Sequence, residues 1–227
     1  MNAQRKINNL FLMYFLLLTG CNDTNSISTT LKNIEICESK GEYKEGLYNV
    51  DKLLKSDSSN SYLHDLRGRF LSYLLKDSEA LEEFRISIKL NSRNTSAYYN
   101  LGFTYMLLEK YDSAILYFNL AMDSKLYNGF KMEIYKRDDL NNISYINVSD
   151  DAIRFQRGIA YYETDTINLA ISDFEFCVLH NFQKAKSQMY LGVLYIISDD
   201  ARGCKLLQEA FINNEVQAKL YLEKYCK

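Results

Sequence analysis

The stretch from Thr95 to Asn128 constrains the fold of this chain most strongly, because it contains two amphipathic helical segments separated by a short break. Leu101 and Gly102 in the first segment, and Ala114 and Phe118 in the second, recur with aromatic neighbours at three- and four-residue steps. That spacing places each set on one helical face. Gly102 and Ala114 also lack the bulk that would hold two helix backbones apart. The stretch therefore predicts a helical hairpin with a close crossing.

The same signature recurs along the chain with a fixed period. Gly68 stands 34 residues before Gly102, and four further signature positions repeat at that offset. Gly158 follows Gly102 by 56 residues, which is 34 plus 22, so residues 129–150 form an insertion between copies. A chain of such units buries the apolar face of each unit on its neighbours.

The signature resembles that of the tetratricopeptide repeat, a 34-residue helical hairpin with aromatic, Leu-Gly, Tyr and Ala residues at fixed offsets. The matching residues are Tyr98, Leu101, Gly102, Tyr105, Tyr111, Ala114, Phe118 and Ala121. Leu126 stands where the family has proline, and the chain contains no proline. The resemblance implies an all-α solenoid of helical hairpins, a right-handed superhelix of about five repeats with a C-terminal capping helix.

The signature also sets the expected domain boundaries. Residues 27–128 hold repeats one to three, and residues 151–227 hold repeats four and five with the capping helix. Within the insertion, residues 129–150, the segments KMEIYK and ISYINV alternate in polarity around a polar turn. This pattern is compatible with a β-hairpin and with an irregular loop.

The first twenty residues are expected to be a targeting signal, followed by a polar tether over residues 21–26. Arg5 and Lys6 precede an apolar run, Leu10–Leu18, that is too short to span a bilayer. The run leads to Cys21 through Thr and Gly, and this resembles a bacterial lipoprotein signal in which Cys21 is acylated. An ordinary secretory signal or a membrane-anchored helix is the alternative. By the same resemblance, Asn22 in place of Asp favours the outer membrane and leaves the membrane face open.

The remaining cysteines fall into two classes. Cys37 and Cys177 occupy signature core positions, so they are expected to be buried apolar side chains. Cys204 lies near the start of one helix and Cys226 near the end of the next antiparallel one. Since disulfides persist in exported proteins, a Cys204–Cys226 bond is predicted, with two unpaired thiols as the alternative.

Several function classes receive no support from the sequence. The formal net charge is −2 and no cluster of Lys and Arg appears, which argues against nucleic acid as a partner. The two histidines, His64 and His180, lie on different repeats, and no metal-ligand spacing or phosphate-binding loop occurs. We therefore expect no enzymatic activity, no cofactor and no metal.

A binding surface is the remaining source of function. In tetratricopeptide proteins the first helices of successive repeats line a concave groove, and carrying those positions over gives an apolar, aromatic lining. Its residues are Tyr99, Asn100, Phe103, Met106, Phe155, Gln156, Tyr162, Met189 and Tyr190. The basic groups with which some family members hold a terminal carboxylate are missing, since Asp65 and Arg69 do not match them.

This lining predicts a membrane-anchored scaffold or adaptor that binds a protein or peptide partner in the bacterial cell envelope. A lipoprotein that binds a glycan or small molecule is the alternative function, although the absence of Trp weighs against it. A second alternative concerns the groove itself, which the insertion or the capping helix could fill.

Overall fold

The structure is a computed structural model that describes residues 23–126 and 148–226. These residues form eleven helices and no strand. They belong to two compact units, one containing residues 23–90 and the other residues 91–126 and 148–226.

The first unit contains two helical pairs. They are α1 (Asp23–Lys40) with α2 (Tyr43–Leu54), and α3 (Ser61–Tyr73) with α4 (Asp77–Leu90). Ile34, Val50, Leu63 and Phe70 are buried in its core. Helix α1 begins at Asp23, so it includes most of the segment that the sequence assigned to a tether.

The second unit contains three helical pairs and one final helix. They are α5 (Thr95–Leu107) with α6 (Tyr111–Leu126), α7 (Asp150–Glu163) with α8 (Ile167–Leu179), α9 (Lys184–Ile197) with α10 (Arg202–Ile212), and then α11 (Ala218–Tyr225). The prediction of an all-α chain of five helical pairs and a terminal helix is confirmed. Most of the insertion lies outside the described residues, so its hairpin or loop structure stays a prediction.

The close crossing expected in the pair α5–α6 is present. A Cβ atom added at Gly102 would lie 2.8 Å from Cδ1 of Phe118 and 3.2 Å from the carbonyl oxygen of Ala114. Ala114 and Phe118 are themselves fully buried. Only glycine at position 102 lets the two helices approach this closely, because any larger residue would push against Phe118 and the α6 backbone.

The turn inside each helical pair repeats with the same period as the core. Residues with positive φ occur at Gly41 (73°), Leu75 (60°) and Glu109 (55°), each 34 residues apart. Asp165 (52°) and Asp199 (59°) continue the series after the insertion. Each of these turns thus has one residue in the left-handed backbone conformation. Glycine adopts this conformation without strain, and only the first repeat has glycine at that position.

Leu75 offers a direct test of this turn geometry. Its side chain is 85% exposed, so removing it sacrifices little packing. We expect Leu75→Gly to raise the free energy of unfolding by about 0.5–1 kcal/mol, because relief of left-handed strain exceeds the added entropy of the unfolded chain. Urea denaturation followed by circular dichroism measures the change. Leu116→Gly, at an exposed position in the middle of α6, is the control and should be destabilising.

Helix α11 is held to α10 by a covalent bond. Cys204 and Cys226 form a disulfide with a Cα–Cα distance of 5.6 Å. Cys37 and Cys177 are free and buried, as expected from their core positions. Burial raises the pKa of the Cys177 thiol to about 12, with nearby Asp173 and Asp151 acting in the same direction. Cys177 is therefore an unreactive core side chain at neutral pH.

Candidate functional site

Of the residues expected to line the groove, those on α5 are partly accessible. Phe103 is 37% exposed, and the ring of Tyr99 stacks on it with centroids 6.4 Å apart and planes inclined by 15°. Tyr99 is half-buried because its other neighbour is the core residue Phe118, at 5.8 Å between ring centroids. Asn100 lies between the two rings in sequence and donates to Oγ of Ser96 at 3.2 Å. Helix α5 therefore presents an aromatic pair, Tyr99 and Phe103, and the ring of Tyr99 packs on the core residue Phe118.

Met106 and the α7 residues are less accessible. Met106 is half-buried and packs against the core of the second unit. Phe155, expected to line the groove, is instead 5% exposed, because its ring meets Phe174 and Phe182 edge-on at 6.0 Å in each case. Gln156 is half-buried. Phe155 thus belongs to the core and cannot contact a partner directly.

On α9 the expected lining is covered. Met189 is 2% exposed and Val193 is 5% exposed, and both pack with Ala218 of α11. The terminal helix therefore occupies this part of the surface, as one of the alternatives from the sequence allowed. Met189 is a core residue because α11 lies where a further first helix would otherwise stand.

A cluster of tyrosines marks the edge of the covered region. Tyr162 of α7 and Tyr190 of α9 meet edge-on at 5.5 Å, and Tyr190 stacks on the core ring of Phe174 at 4.9 Å. Burial, together with the nearby Tyr221 of α11, raises the pKa of Tyr162 to about 12. Both tyrosines are half-buried, so they contribute little accessible surface.

Comparison with known proteins identifies the fold. No family model and no curated protein matches the sequence. Many solved structures are similar over most of the chain, among them the following three. YrrB, described as a TPR protein with an unusual peptide-binding site, is 20% identical over 86% of this chain and 90% of its own, with a TM-score of 0.63. MamA from Desulfovibrio magneticus is 14% identical over 84% and 96%, with a TM-score of 0.64. PilW, described as a type IV pilus biogenesis factor, is 14% identical over 83% and 76%, with a TM-score of 0.63.

The chain has the tetratricopeptide-repeat fold. At identities this low the likeness establishes the fold alone, since one fold serves many functions. The helical pairs described above are accordingly tetratricopeptide repeats one to five, with α11 as the capping helix.

The fourth repeat contains a buried ion pair that the sequence analysis missed. Asp173 of α8 is 1% exposed and accepts two hydrogen bonds from Arg157 of α7, at 2.8 Å each. Arg154 donates to the same carboxylate at 3.1 Å. Arg157 also donates to Oδ1 of Asn119 on α6 at 2.7 Å, so one guanidinium ties the fourth repeat to the third.

The second repeat, in the first unit, has the same arrangement ninety residues earlier. Arg67 and His64 of α3 both contact the carboxylate of Glu83, and Arg67 also donates to Asp51 of α2 at 2.7 Å. The signal was present in the sequence. In both repeats an Arg directly precedes the signature Gly, and an acid sixteen residues later directly precedes the signature Phe.

The predicted lipidation residue, Cys21, lies outside the described residues. Among the described helices, none combines the length and apolar character needed to cross a membrane. Residues 23–126 and 148–226 contain no cluster of His, Cys, Asp and Glu that could hold a metal ion.

Proposed function

We propose that this chain is a lipid-anchored protein of the bacterial cell envelope that binds a protein or peptide partner through the exposed face of α5. One observation carries the proposal, namely the aromatic pair Tyr99–Phe103, which is exposed at Phe103 and supported by the core at Phe118. A rigid aromatic pair binds apolar side chains with little loss of conformational entropy, and such residues dominate the binding energy of many interfaces.

The expected partner presents an apolar side chain in a helix or an extended segment. Because α11 covers Met189 and Phe155 is buried, the proposed binding surface is centred on α5. A short segment therefore fits this surface better than one spanning the whole array.

Similarity to YrrB and PilW supports binding over catalysis, since one is described by its peptide-binding site and the other as a pilus biogenesis factor. We accordingly propose no enzymatic activity, no cofactor and no nucleic-acid partner. The envelope location rests on the targeting signal of residues 1–20 and on acylation of Cys21. Asn22 favours the outer membrane by the resemblance noted above.

Substitution of Phe103 by glutamate tests the binding surface. We expect Phe103→Glu to abolish affinity capture of envelope partners, because a charge on the aromatic pair cannot be desolvated against an apolar side chain. The matched control is Leu116→Glu on α6, which is 54% exposed and lies outside the proposed surface. Capture followed by mass spectrometry should give the same partners for wild type and Leu116→Glu. An unchanged partner set for Phe103→Glu would refute the α5 surface.

Acylation is tested separately in cells. Metabolic labelling with an alkyne fatty acid should mark the wild-type chain and leave Cys21→Ser unlabelled and absent from the membrane fraction. Labelling that persists in Cys21→Ser would contradict the proposed anchor without bearing on the binding surface.

The glycan alternative is tested by melting temperature. If a panel of glycans raised the melting temperature of wild type but not of Phe103→Glu, the α5 surface would instead bind a glycan.

A further inference from the structure

The first unit contains an open cavity between α2 and α3 that the proposed function does not use. Its volume is about 440 Å³, within the range of about 300–1,000 Å³ typical of small ligand sites. The α2 side is lined by Tyr48, Asp51, Lys52, Leu54 and Lys55, and the α3 side by His64 and Arg67.

The cavity is separate from the groove positions of the second repeat. The residues of α3 that correspond to Tyr99 and Phe103 are Asp65 and Arg69, thirty-four residues earlier. Neither of these lines the cavity. A ligand here would therefore occupy a face of the repeat different from the one that aligns with the α5 surface.

The hydrogen bonds of His64 require it to be positively charged. Its Nδ1 lies 2.7 Å from the carboxylate of Glu83, and its Nε2 lies 3.0 Å from the carbonyl oxygen of Ser58. Both partners are acceptors, so both ring nitrogens must carry a proton. The bond to Glu83 raises the pKa of His64 above its ordinary value, with burial opposing and the Ser58 carbonyl and the Glu83 charge assisting.

Positive charge therefore exceeds negative charge at this cavity. The charged form of His64 joins the guanidinium of Arg67 and the ammonium groups of Lys52 and Lys55. Two carboxylates face them, Asp51 and the buried Glu83. Neither lysine forms an ion pair within the described part of the chain, and both are exposed.

The donor groups of Arg67 point to the class of ligand. Its Nε donates to Asp51 and its Nη1 to Glu83, whereas its Nη2 donates to no group among residues 23–126 and 148–226. A planar guanidinium whose Nη2 group has no protein acceptor there can bind an oxyanion. The exposed ammonium groups of Lys52 and Lys55 can add further contacts to the same anion. Tyr48, which is 64% exposed, and Leu54 provide an apolar wall beside these charges.

We propose that this cavity binds an acidic peptide segment, with a carboxylate on Lys52, Lys55 and Arg67 and an apolar side chain on Tyr48. Asp51 favours a peptide over a phosphate group. A carboxylate in the wall can accept a backbone N–H of the peptide, whereas it repels a dianionic phosphate. The site would give this repeat protein a second point of attachment to a partner, independent of the α5 surface.

Fluorescence anisotropy with defined probes tests the proposal. The first probe is a labelled hexapeptide of four glutamates and two leucines, and the second is the same peptide with glutamines in place of glutamates. We expect the glutamate peptide to bind the wild-type protein at low ionic strength and the glutamine peptide not to bind. The double variant Lys52→Ala, Lys55→Ala should bind about tenfold more weakly, since two charge-assisted contacts are lost.

The matched control is the double variant Lys44→Ala, Lys89→Ala, which removes the same charge from exposed positions outside the cavity. It should bind as the wild type does. Equal losses in the two double variants, or equal binding of the two peptides, would overturn the site. Displacement of the peptide by inorganic phosphate at the same concentration would assign the cavity to a phosphate group and overturn the peptide proposal. Because all four lysines are exposed, neither double variant should fail to fold.

Discussion

Replacing Arg157 by leucine is expected to lower the free energy of unfolding by about 3–5 kcal/mol, because it leaves a buried carboxylate without its main partner. Asp173 is 1% exposed and accepts three hydrogen bonds from arginine, two of which come from Arg157 at 2.8 Å each. The third comes from Arg154, whose guanidinium also lies 4.3 Å from the centroid of the Phe176 ring and cannot replace both lost bonds. Urea denaturation followed by circular dichroism gives the free energy directly.

The double variant Arg157→Leu, Asp173→Leu separates the ion pair from simple packing. Replacing both partners of a buried pair by apolar residues is often neutral, so the double variant should recover most of the lost stability. The pair would then be a source of specificity, joining the third and fourth repeats through Asn119, more than a source of net stability. A loss of less than about 1 kcal/mol in Arg157→Leu would mean that the pair behaves as a surface salt bridge.

Reduction of the Cys204–Cys226 disulfide is expected to destabilise the terminal part of the array by about 3 kcal/mol, the value for a bond that closes a loop of this length. The two cysteines are 22 residues apart. Helix α11 has eight residues and buries only Ala218 fully, so it has little packing of its own to hold it in place. Its release would expose Met189 and Val193, which it covers.

Hydrogen exchange measured by mass spectrometry checks this result. In the wild type, reductant should increase exchange in α11 and in the adjoining part of α10, with the first unit unaffected. The variant Cys204→Ala, Cys226→Ala should show the increased exchange without reductant and no further change when reductant is added. Protection of α11 that survived reduction would show that packing alone holds the capping helix.

Much of the fold followed from the sequence because its signature is local. The step from Gly102 to Phe118 sets one hairpin, and the same step recurs at Gly68 and Gly158, so helix number and pairing could be predicted. The sequence also predicted a Cys204–Cys226 bond, with two unpaired thiols as the alternative, and the structure joins these two cysteines.

The candidate surface was only partly predictable. Periodicity indicates which residues share a face, and it placed Phe103, Phe155 and Met189 in one expected groove. It does not say what lies over that face. Phe103 remains exposed, whereas α11 covers Met189 and the rings of Phe174 and Phe182 enclose Phe155. The ion pairs were missed because, in the sequence, each of these charged residues is typical of a helix surface. Only the packing of two helices brings the arginine of one beside the acidic residue of the other.

By itself, the sequence determined the repeat, its period and the crossing point at Gly102, because these depend on residue size and spacing within single hairpins. Only the tertiary structure decided which groove residues stay accessible and which charges are paired. It also placed Lys52 and Lys55 of α2 beside His64 and Arg67 of α3. The physical reason is that burial and electrostatic pairing are properties of side chains from different helices in contact, and the contacts between helices are set by packing.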